Sequence, residues 1–120
     1  MIQCKRVYEA SAASDGYRIL VDRLWPRGVR KTSLNYDEWC KALAPSSTLR
    51  SAWHSEQIDF ETFSKEYAQE LDKVPDETRR IADIATGKTL TLLYAAKNTE
   101  QNHALVLADY LNHLPDQQAK

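Results

Sequence analysis

Two continuous apolar runs, far apart in the chain, constrain the fold most. Residues 17–24 contain Ile19, Leu20 and Val21 in succession, and residues 89–96 read TLTLLYAA between Gly87 and Lys97. Strands that are buried on both faces of a parallel sheet have such runs instead of a strict apolar–polar alternation. The long, helix-patterned segment between the runs leaves room for a right-handed parallel crossover. The sequence therefore predicts an α/β fold.

A third, weaker strand pattern covers residues 2–8 at the start of the chain. The turn that follows it, SAASDG at residues 11–16, is too short for a usual crossover helix. The first strand is therefore either antiparallel to the second or not adjacent to it. We expect a three- to four-stranded sheet, mostly parallel or mixed, flanked by about five helices.

A capping pattern indicates a helix shortly after residue 34. Asn35 is followed three residues later by Glu38, which has the form of a capping box, and Pro45 would end the helix. One face of this helix would bury four residues, namely Tyr36, Trp39, Cys40 and Leu43.

The helices predicted after this one have start signals of their own. Small polar side chains suit the capping position, and proline suits the first turn. A helix from about residue 100 to residue 114 closes the predicted fold, with Ala104, Leu107, Ala108 and Leu111 buried. The three helices that precede this last one have as their start signals Ser46, Asp59 and Pro75.

The size and charge of the chain restrict the class of protein. With 120 residues, it can form one core, and we expect a single α/β domain over residues 1–114 and a polar tail over residues 115–120. The net charge of -1 does not favour overall attraction to nucleic acid or to an anionic membrane. The start MIQCKRVYEA has no apolar leader segment, and two cysteines cannot form a disulfide framework, so a cytoplasmic location is expected.

Common cofactor and metal motifs are missing from the sequence. It has no GxGxxG, no Walker loop and no GxSxG, and its three histidines lack the spacing of a metal site. The segment 97–103 contains no cysteine, so a thiol nucleophile is lacking there. We therefore expect no cofactor and no metal ligands.

Polar and charged side chains gather where two predicted strands end. The segment Asp22–Gly28, DRLWPRG, follows the first apolar run, and Lys97–His103, KNTEQNH, follows the second. Ligands of open α/β sheets bind beyond the carboxyl ends of parallel strands. The last helix would also turn its N-terminus, which favours anions, toward this edge. If the two strands are neighbours, both segments border one basic cleft.

The residue types in these segments suit the binding of a small anion. The planar guanidinium groups of Arg23 and Arg27 fit a phosphate or a carboxylate, and Trp25 can form a wall or stack on a ring. Lys97 would add positive charge, and Asn102 would orient the anion. These five residues, together with Arg50, are the predicted ligand-binding set.

Three further residues are candidates for acid–base chemistry. His103 begins the helix at the predicted ligand edge, His54 is the second candidate, and Asp22 can act as a base. Arg50 would add one more guanidinium group. Structural alternatives stay open for all of them, because Asp22 can simply pair with an arginine, Trp25 can belong to the core and histidines can pack or cap at helix ends.

One family resemblance covers nearly the whole chain. The segments that carry it are DGYRILVDRLWPRG at residues 15–28, WCKALAPS at residues 39–46 and LLYAAKNTEQNHALVLADYL at residues 92–111. In these segments the chain resembles the YeaO-like proteins, a branch of a bacterial domain-of-unknown-function family. The resemblance implies a cytoplasmic, single-domain α/β protein, and it adds Arg6 to the candidate ligand-binding residues. The family's motif positions are here Arg6, Asp22, Arg23, Trp25, Arg27, Ser46, Arg50, His54, Tyr67, Lys97, Asn102 and His103.

The chain departs from the wider family at one motif. Where that family often has Cys-His-Arg, this chain has Asn102, His103 and Ala104. Thiol chemistry inferred for the wider group therefore does not transfer.

Three functions remain as hypotheses from the sequence. The first is the binding of a small anionic ligand in a basic cleft at the sheet edge, with or without catalysis. The second is a nucleic-acid-binding accessory protein that uses the basic segment Arg23–Lys31 to grip phosphates and Trp25 to stack on a base. The third is a protein-interaction module with an open apolar patch.

Overall fold

The computed structural model describes residues 1–115, and a parallel four-stranded sheet lies at their centre. Residues 116–120 of the predicted tail lie outside the described residues. The strands are β1 (Ile2–Arg6), β2 (Tyr17–Leu20), β3 (Glu38–Trp39) and β4 (Leu90–Tyr94). The helices are α1 (Ser47–His54), α2 (Phe60–Leu71), α3 (Pro75–Gly87) and α4 (His103–Asn112). Short 3-10 turns cover Ala13–Asp15 and Lys41–Leu43.

Strand order across the sheet is β1-β4-β2-β3, and every pairing is parallel. The strands formed by the two apolar runs are neighbours, since Tyr17 of β2 lies opposite Leu90 of β4. Ile2 of β1 lies opposite the same residue on the other side of β4. Strand β4 therefore separates β1 from β2, which decides between the two alternatives left by the short turn. The α/β class is confirmed, with four α-helices in residues 1–115 where about five were predicted.

The prediction of a helix after Asn35 is wrong. The chain forms strand β3 there, and the backbone N–H groups of Asp37 and Cys40 donate to the carbonyls of Arg18 and Leu20. Pairing with the edge of β2 satisfies these backbone groups better than one isolated turn of helix would. Because side chains alternate along a strand, Trp39 and Cys40 pack on opposite faces of the sheet instead of sharing one face.

Side-chain caps fix the starts of three helices, as predicted for Ser46 and Asp59. Ser46 accepts a hydrogen bond from the Leu49 N–H, and Asp59 accepts one from the N–H of Thr62. Helix α4 begins at His103, later than the predicted residue 100, because Asn102 is its cap. Within the described part of the chain, every helix falls short of the length and apolar character that crossing a bilayer requires.

The two faces of the sheet are covered differently. All four α-helices pack on one face, around a core that includes Ile19, Leu92 and Phe63. On the other face, the segment of residues 25–39 covers Leu20 and Leu93 with aromatic side chains. The helix-free face is therefore closed by the same segment that follows β2.

A buried polar network supports the amino-terminal end of β2. Asp15 and Arg18, 1% and 3% exposed, form an ion pair. Lys5 lies 2.9 Å from the other carboxylate oxygen of Asp15, and the Ala12 N–H also donates to this carboxylate. The network fixes the turn before β2 and lies at the sheet edge opposite to the carboxyl ends of the strands.

Candidate functional site

A cleft of about 360 Å³ lies beyond the carboxyl ends of the strands. Parallel pairing brings the ends of β1, β2 and β4 to one edge, which the sequence had suggested for β2 and β4 if they were neighbours, and helix α1 contributes part of the wall. We call it the strand-end cleft. Its lining residues are Tyr8, Asp22, Arg23, Leu24, Trp25, Pro26, Arg27, Pro45, Arg50, Trp53, His54, Phe63, Ala95, Ala96 and His103.

Asp22 connects the two predicted polar segments. Its Oδ2 accepts a hydrogen bond from the Ala95 N–H at 3.0 Å, directly after β4. Its Oδ1 lies 2.8 Å from Nε2 of His103 at the start of α4. This close pair is not aligned as a hydrogen bond, and neither buried atom has a hydrogen-bond partner among the described residues. At this distance the two atoms are in direct contact, so Asp22 joins the loop after β2 to the start of α4.

Three guanidinium groups line the strand-end cleft. Arg23 is fixed in place, because it donates to the carbonyl oxygens of Pro45 at 3.1 Å and Ala44 at 3.4 Å. Arg27 and Arg50 are exposed on the wall. Within residues 1–115, none of the three arginines has a carboxylate in ion-pair contact. The cleft is therefore locally basic although the whole chain has a net charge of -1.

One face of α1 contributes Arg50, Trp53 and His54, which are three and four residues apart and so lie together. The Trp53 indole stacks on Phe63 with 4.3 Å between ring centroids. Partial desolvation, the Arg50 guanidinium and the His103 imidazole lower the pKa of His54 below its usual value. His54 is therefore neutral at pH 7 and can donate or accept a hydrogen bond.

Trp25 is both a core residue and part of the cleft wall, the two alternatives that the sequence left open. Its indole packs edge-on against Tyr36 and Trp39, each with a centroid distance of 5.4 Å, and donates to the Val29 carbonyl. The same side chain lines the strand-end cleft. It is thus a rigid wall, held by the core beneath the helix-free face of the sheet.

Three predicted ligand-binding residues lie outside the cleft lining. Arg6 donates to the carbonyl of Ala96 at 2.9 Å. Asn102 is fully buried, caps α4 with its oxygen and donates its amide to the Asn98 carbonyl. Lys97 is exposed and is not part of the wall. The ligand-binding roles of these residues stay predictions.

Sequence reasoning missed several apolar residues of the cleft, among them Tyr8, Leu24 and Phe63. Tyr8 follows the end of β1, so the parallel orientation of β1, once known, would have placed it at this edge. The hydroxyl of Tyr8 donates to the Arg27 carbonyl at 2.9 Å and ties the two loops together. Leu24 lies inside the DRLWPRG segment, but an apolar side chain there has no chemical signature.

Possible metal ligands gather away from the cleft at Glu38, Cys40 and Glu77. Arg80 already pairs with both carboxylates, and the Cys40 thiol donates to Glu77 at 3.3 Å. Burial, with help from that hydrogen bond, raises the pKa of Cys40 to about 11, which keeps the thiol protonated. An ion would have to displace Arg80, so the geometry is that of an ion-pair network.

The fold and the site together define a small parallel α/β domain with a basic cleft at the carboxyl ends of its strands. Residues 1–120 match the family described as the inactive DUF488-N3 subclade, and the chain belongs to that family.

Comparison with individual relatives supports the same family. The chain is 60% identical over 113 residues to the "Uncharacterized protein YeaO" of Escherichia coli (strain K12). The matched segment covers 94% of this chain and 98% of the relative. It is 37% identical over 114 residues to the "Uncharacterized protein Rv3073c" of Mycobacterium tuberculosis (strain ATCC 25618 / H37Rv), with 92% and 93% covered. The resemblance to the YeaO-like proteins is thereby confirmed. No solved structure matches the chain at a significant level.

Proposed function

We propose that the strand-end cleft binds a small anionic ligand. The observation that carries the proposal is the set of three guanidinium groups, Arg23, Arg27 and Arg50, around one cleft without a carboxylate paired to any of them. Like charges that share one cleft repel each other, and an anion that accepts their hydrogen bonds offsets this cost. The one carboxylate in the wall, Asp22, lies against His103 instead.

The arginines contribute in different ways. The two carbonyl contacts of Arg23 hold its guanidinium before any ligand arrives, so this arginine loses little side-chain entropy on binding. Arg27 and Arg50 are exposed in the lining of the cleft, one on the loop after β2 and the other on α1, so their side chains can move to contact the anion. His54 and His103 add hydrogen-bonding groups beside them.

Binding without turnover is the form of this function that has most support. The family is described as inactive, and burial raises the pKa of both thiols, Cys4 and Cys40, to about 11. Neither cysteine lines the strand-end cleft. In this proposal the predicted acid–base residues His54 and His103 position the ligand, and Asp22 holds His103 in place. A cytoplasmic location, predicted from the sequence, is part of the same proposal.

The geometry gives the nucleic-acid alternative less support. The Arg23–Lys31 segment would have to offer a free aromatic face for a base. Trp25 instead packs against two aromatic rings, and the Lys31 ammonium lies 5.5 Å from the rings of both Trp25 and Trp39.

A thermal-shift experiment with phosphate, sulfate and acetate tests the proposal. A ligand at ten times its Kd stabilises the folded state by about 1.4 kcal/mol. For a chain of 120 residues this is about 5 to 6 °C in Tm. Because phosphate and sulfate stabilise most folds without binding, the shift is compared among variants. We expect Arg27→Ala and Arg50→Ala to lose most of it.

Arg30→Ala is the matched control, since it removes the same charge from an exposed position outside the cleft lining. It should keep the wild-type shift. Equal anion-induced shifts in all three variants and the wild type would show that the arginines of the cleft bind no anion, and the proposal would be abandoned.

A further inference from the structure

The strand-end cleft has a second kind of surface beside its arginines. Leu24 is 63% exposed and Tyr8 is 50% exposed at its mouth, although both are large apolar side chains. Trp25, Trp53 and Phe63 continue this surface into the cleft. An inorganic anion would bind to the guanidinium groups alone. Simple anion binding therefore does not explain the apolar surface.

The cleft is also too large for an inorganic anion. A water molecule occupies about 30 Å³ of liquid, and phosphate or sulfate is only a few times larger. The cleft, at about 360 Å³, is near the lower end of the range for pockets that bind small organic molecules, about 300 to 1,000 Å³. Its size fits an organic anion with one or two rings.

The aromatic part of the wall is rigid. Phe63 is completely buried, and its ring lies 24° from the plane of the Trp53 indole, at a centroid distance of 4.3 Å. Trp25 is held by Tyr36 and Trp39 on its other side. Rigid aromatic walls favour planar ligands, because a ring can bury its face or edge there without ordering further side chains.

We propose that the ligand of the strand-end cleft is a small organic anion whose phosphate or carboxylate is attached to a planar aromatic body. This inference rests on the proposed function and specifies its ligand class. The guanidinium groups of Arg27 and Arg50 bind the anionic group, and the aromatic body lies against Trp53 and Leu24.

Matched probes in isothermal titration calorimetry test this inference. Phenyl phosphate and benzoate have both an anionic group and a ring, methyl phosphate and acetate have the anion alone, and phenol has the ring alone. At about 25 cal/mol per Å² of buried apolar surface, a buried ring corresponds to about tenfold or more in affinity. We expect at least one aromatic anion to bind about tenfold more tightly than its aliphatic partner, and phenol to bind far more weakly.

Leu24→Ser tests the apolar wall without risk to the fold, because Leu24 is mostly exposed. It should weaken the aromatic anion severalfold and leave the aliphatic anion unchanged. Leu105→Ser is the matched control, at a leucine that is 37% exposed and outside the cleft lining.

The outcomes separate the two proposals. If aromatic and aliphatic anions bind equally and Arg27→Ala weakens both, anion binding holds and the aromatic ligand class is wrong. If no anion binds, or if phenol binds as well as phenyl phosphate, the proposed function itself is wrong and this inference fails with it.

Discussion

The buried ion pair between Asp15 and Arg18 provides a sharp test of what holds the sheet together. Asp15→Asn keeps the size of the side chain and a hydrogen-bond acceptor but removes the negative charge. Arg18, which is 3% exposed, would then be a buried cation without its ion-pair partner. Removing one partner of a buried pair costs about 3 to 5 kcal/mol. That is a large fraction of a typical stability of about 5 to 15 kcal/mol.

The same loss can be expressed as a melting temperature. An unfolding entropy of about 2.1 cal/mol/K per residue gives about 0.25 kcal/mol/K for a chain of 120 residues. Asp15→Asn should therefore lower Tm by about 12 to 20 °C. Circular dichroism during heating measures this shift, and urea unfolding at 25 °C measures the free energy directly.

Glu61→Gln is the control for this prediction, because it breaks an ion pair of the same kind on the surface. Glu61 and Lys65 are 3.4 Å apart, with 77% and 73% of their side chains exposed. Such a pair contributes at most about 0.5 kcal/mol, or about 2 °C in Tm. If Asp15→Asn melts as close to the wild type as Glu61→Gln does, the stabilising role of the buried network is refuted.

The pH dependence of stability gives an independent measurement on the same carboxylate. Burial alone would raise the pKa of Asp15, but hydrogen bonds from Lys5, the Ala12 backbone and Arg18 outweigh it and hold the pKa below its usual value. The stabilisation is therefore present above the unfolded-state pKa of about 3.9 and is lost as the pH falls through the folded-state pKa. Unfolding free energy should fall more steeply below about pH 5 in the wild type than in Asp15→Asn. Parallel curves for the two proteins would contradict the assignment.

Two further predictions concern the backbone and the thiols. Gly16 has a φ of 64°, and a Cβ there would overlap the carbonyl oxygen of Thr89, so Gly16→Ala should cost about 3 kcal/mol or more in urea unfolding. Gly28→Ala, at a φ of 78° but in open space, should cost only about 1 to 2 kcal/mol, and equal losses would rule out the overlap. Burial raises the pKa of Cys4 and Cys40 to about 11, so at pH 8 an aromatic disulfide reagent should react about a hundredfold more slowly with the folded chain than with the unfolded chain. Similar rates for the two states would contradict this pKa.

The strands and the place of the cleft could be predicted because they depend on strong local signals. Two continuous apolar runs predicted two strands with room for a parallel crossover between them, and parallel strands that are neighbours bring their carboxyl ends to one edge. The contact between Asp22 and the start of α4 follows from that geometry. Strand β3 could not be predicted, because two residues have no periodicity. Its pairing also uses backbone atoms of Arg18 and Leu20 that the sequence pattern does not show.

The walls of the cleft were predicted less completely than its place. Arg50 and His54 were candidates by residue type, but their position depends on how α1 crosses the strand ends. That crossing is fixed by a tertiary contact, since Glu70 of α2 accepts hydrogen bonds from the backbone and the hydroxyl of Ser46. Residue type alone also gave no means of separating Lys97, which is outside the lining, from Arg27, which is part of it.

The central claim is that an anion binds between the arginines of the strand-end cleft, and nuclear magnetic resonance tests it most directly. Phosphate, then phenyl phosphate, would be titrated into ¹⁵N-labelled protein at constant ionic strength while the arginine Nε–H and indole N–H signals are followed. We predict saturable shifts for Arg23, Arg27 and Arg50, a shift of the Trp53 indole with phenyl phosphate, and no change at Arg80, which is paired with two carboxylates on α3 and β3. Shifts that do not saturate, or that are equal at Arg80 and in the cleft, would contradict the claim.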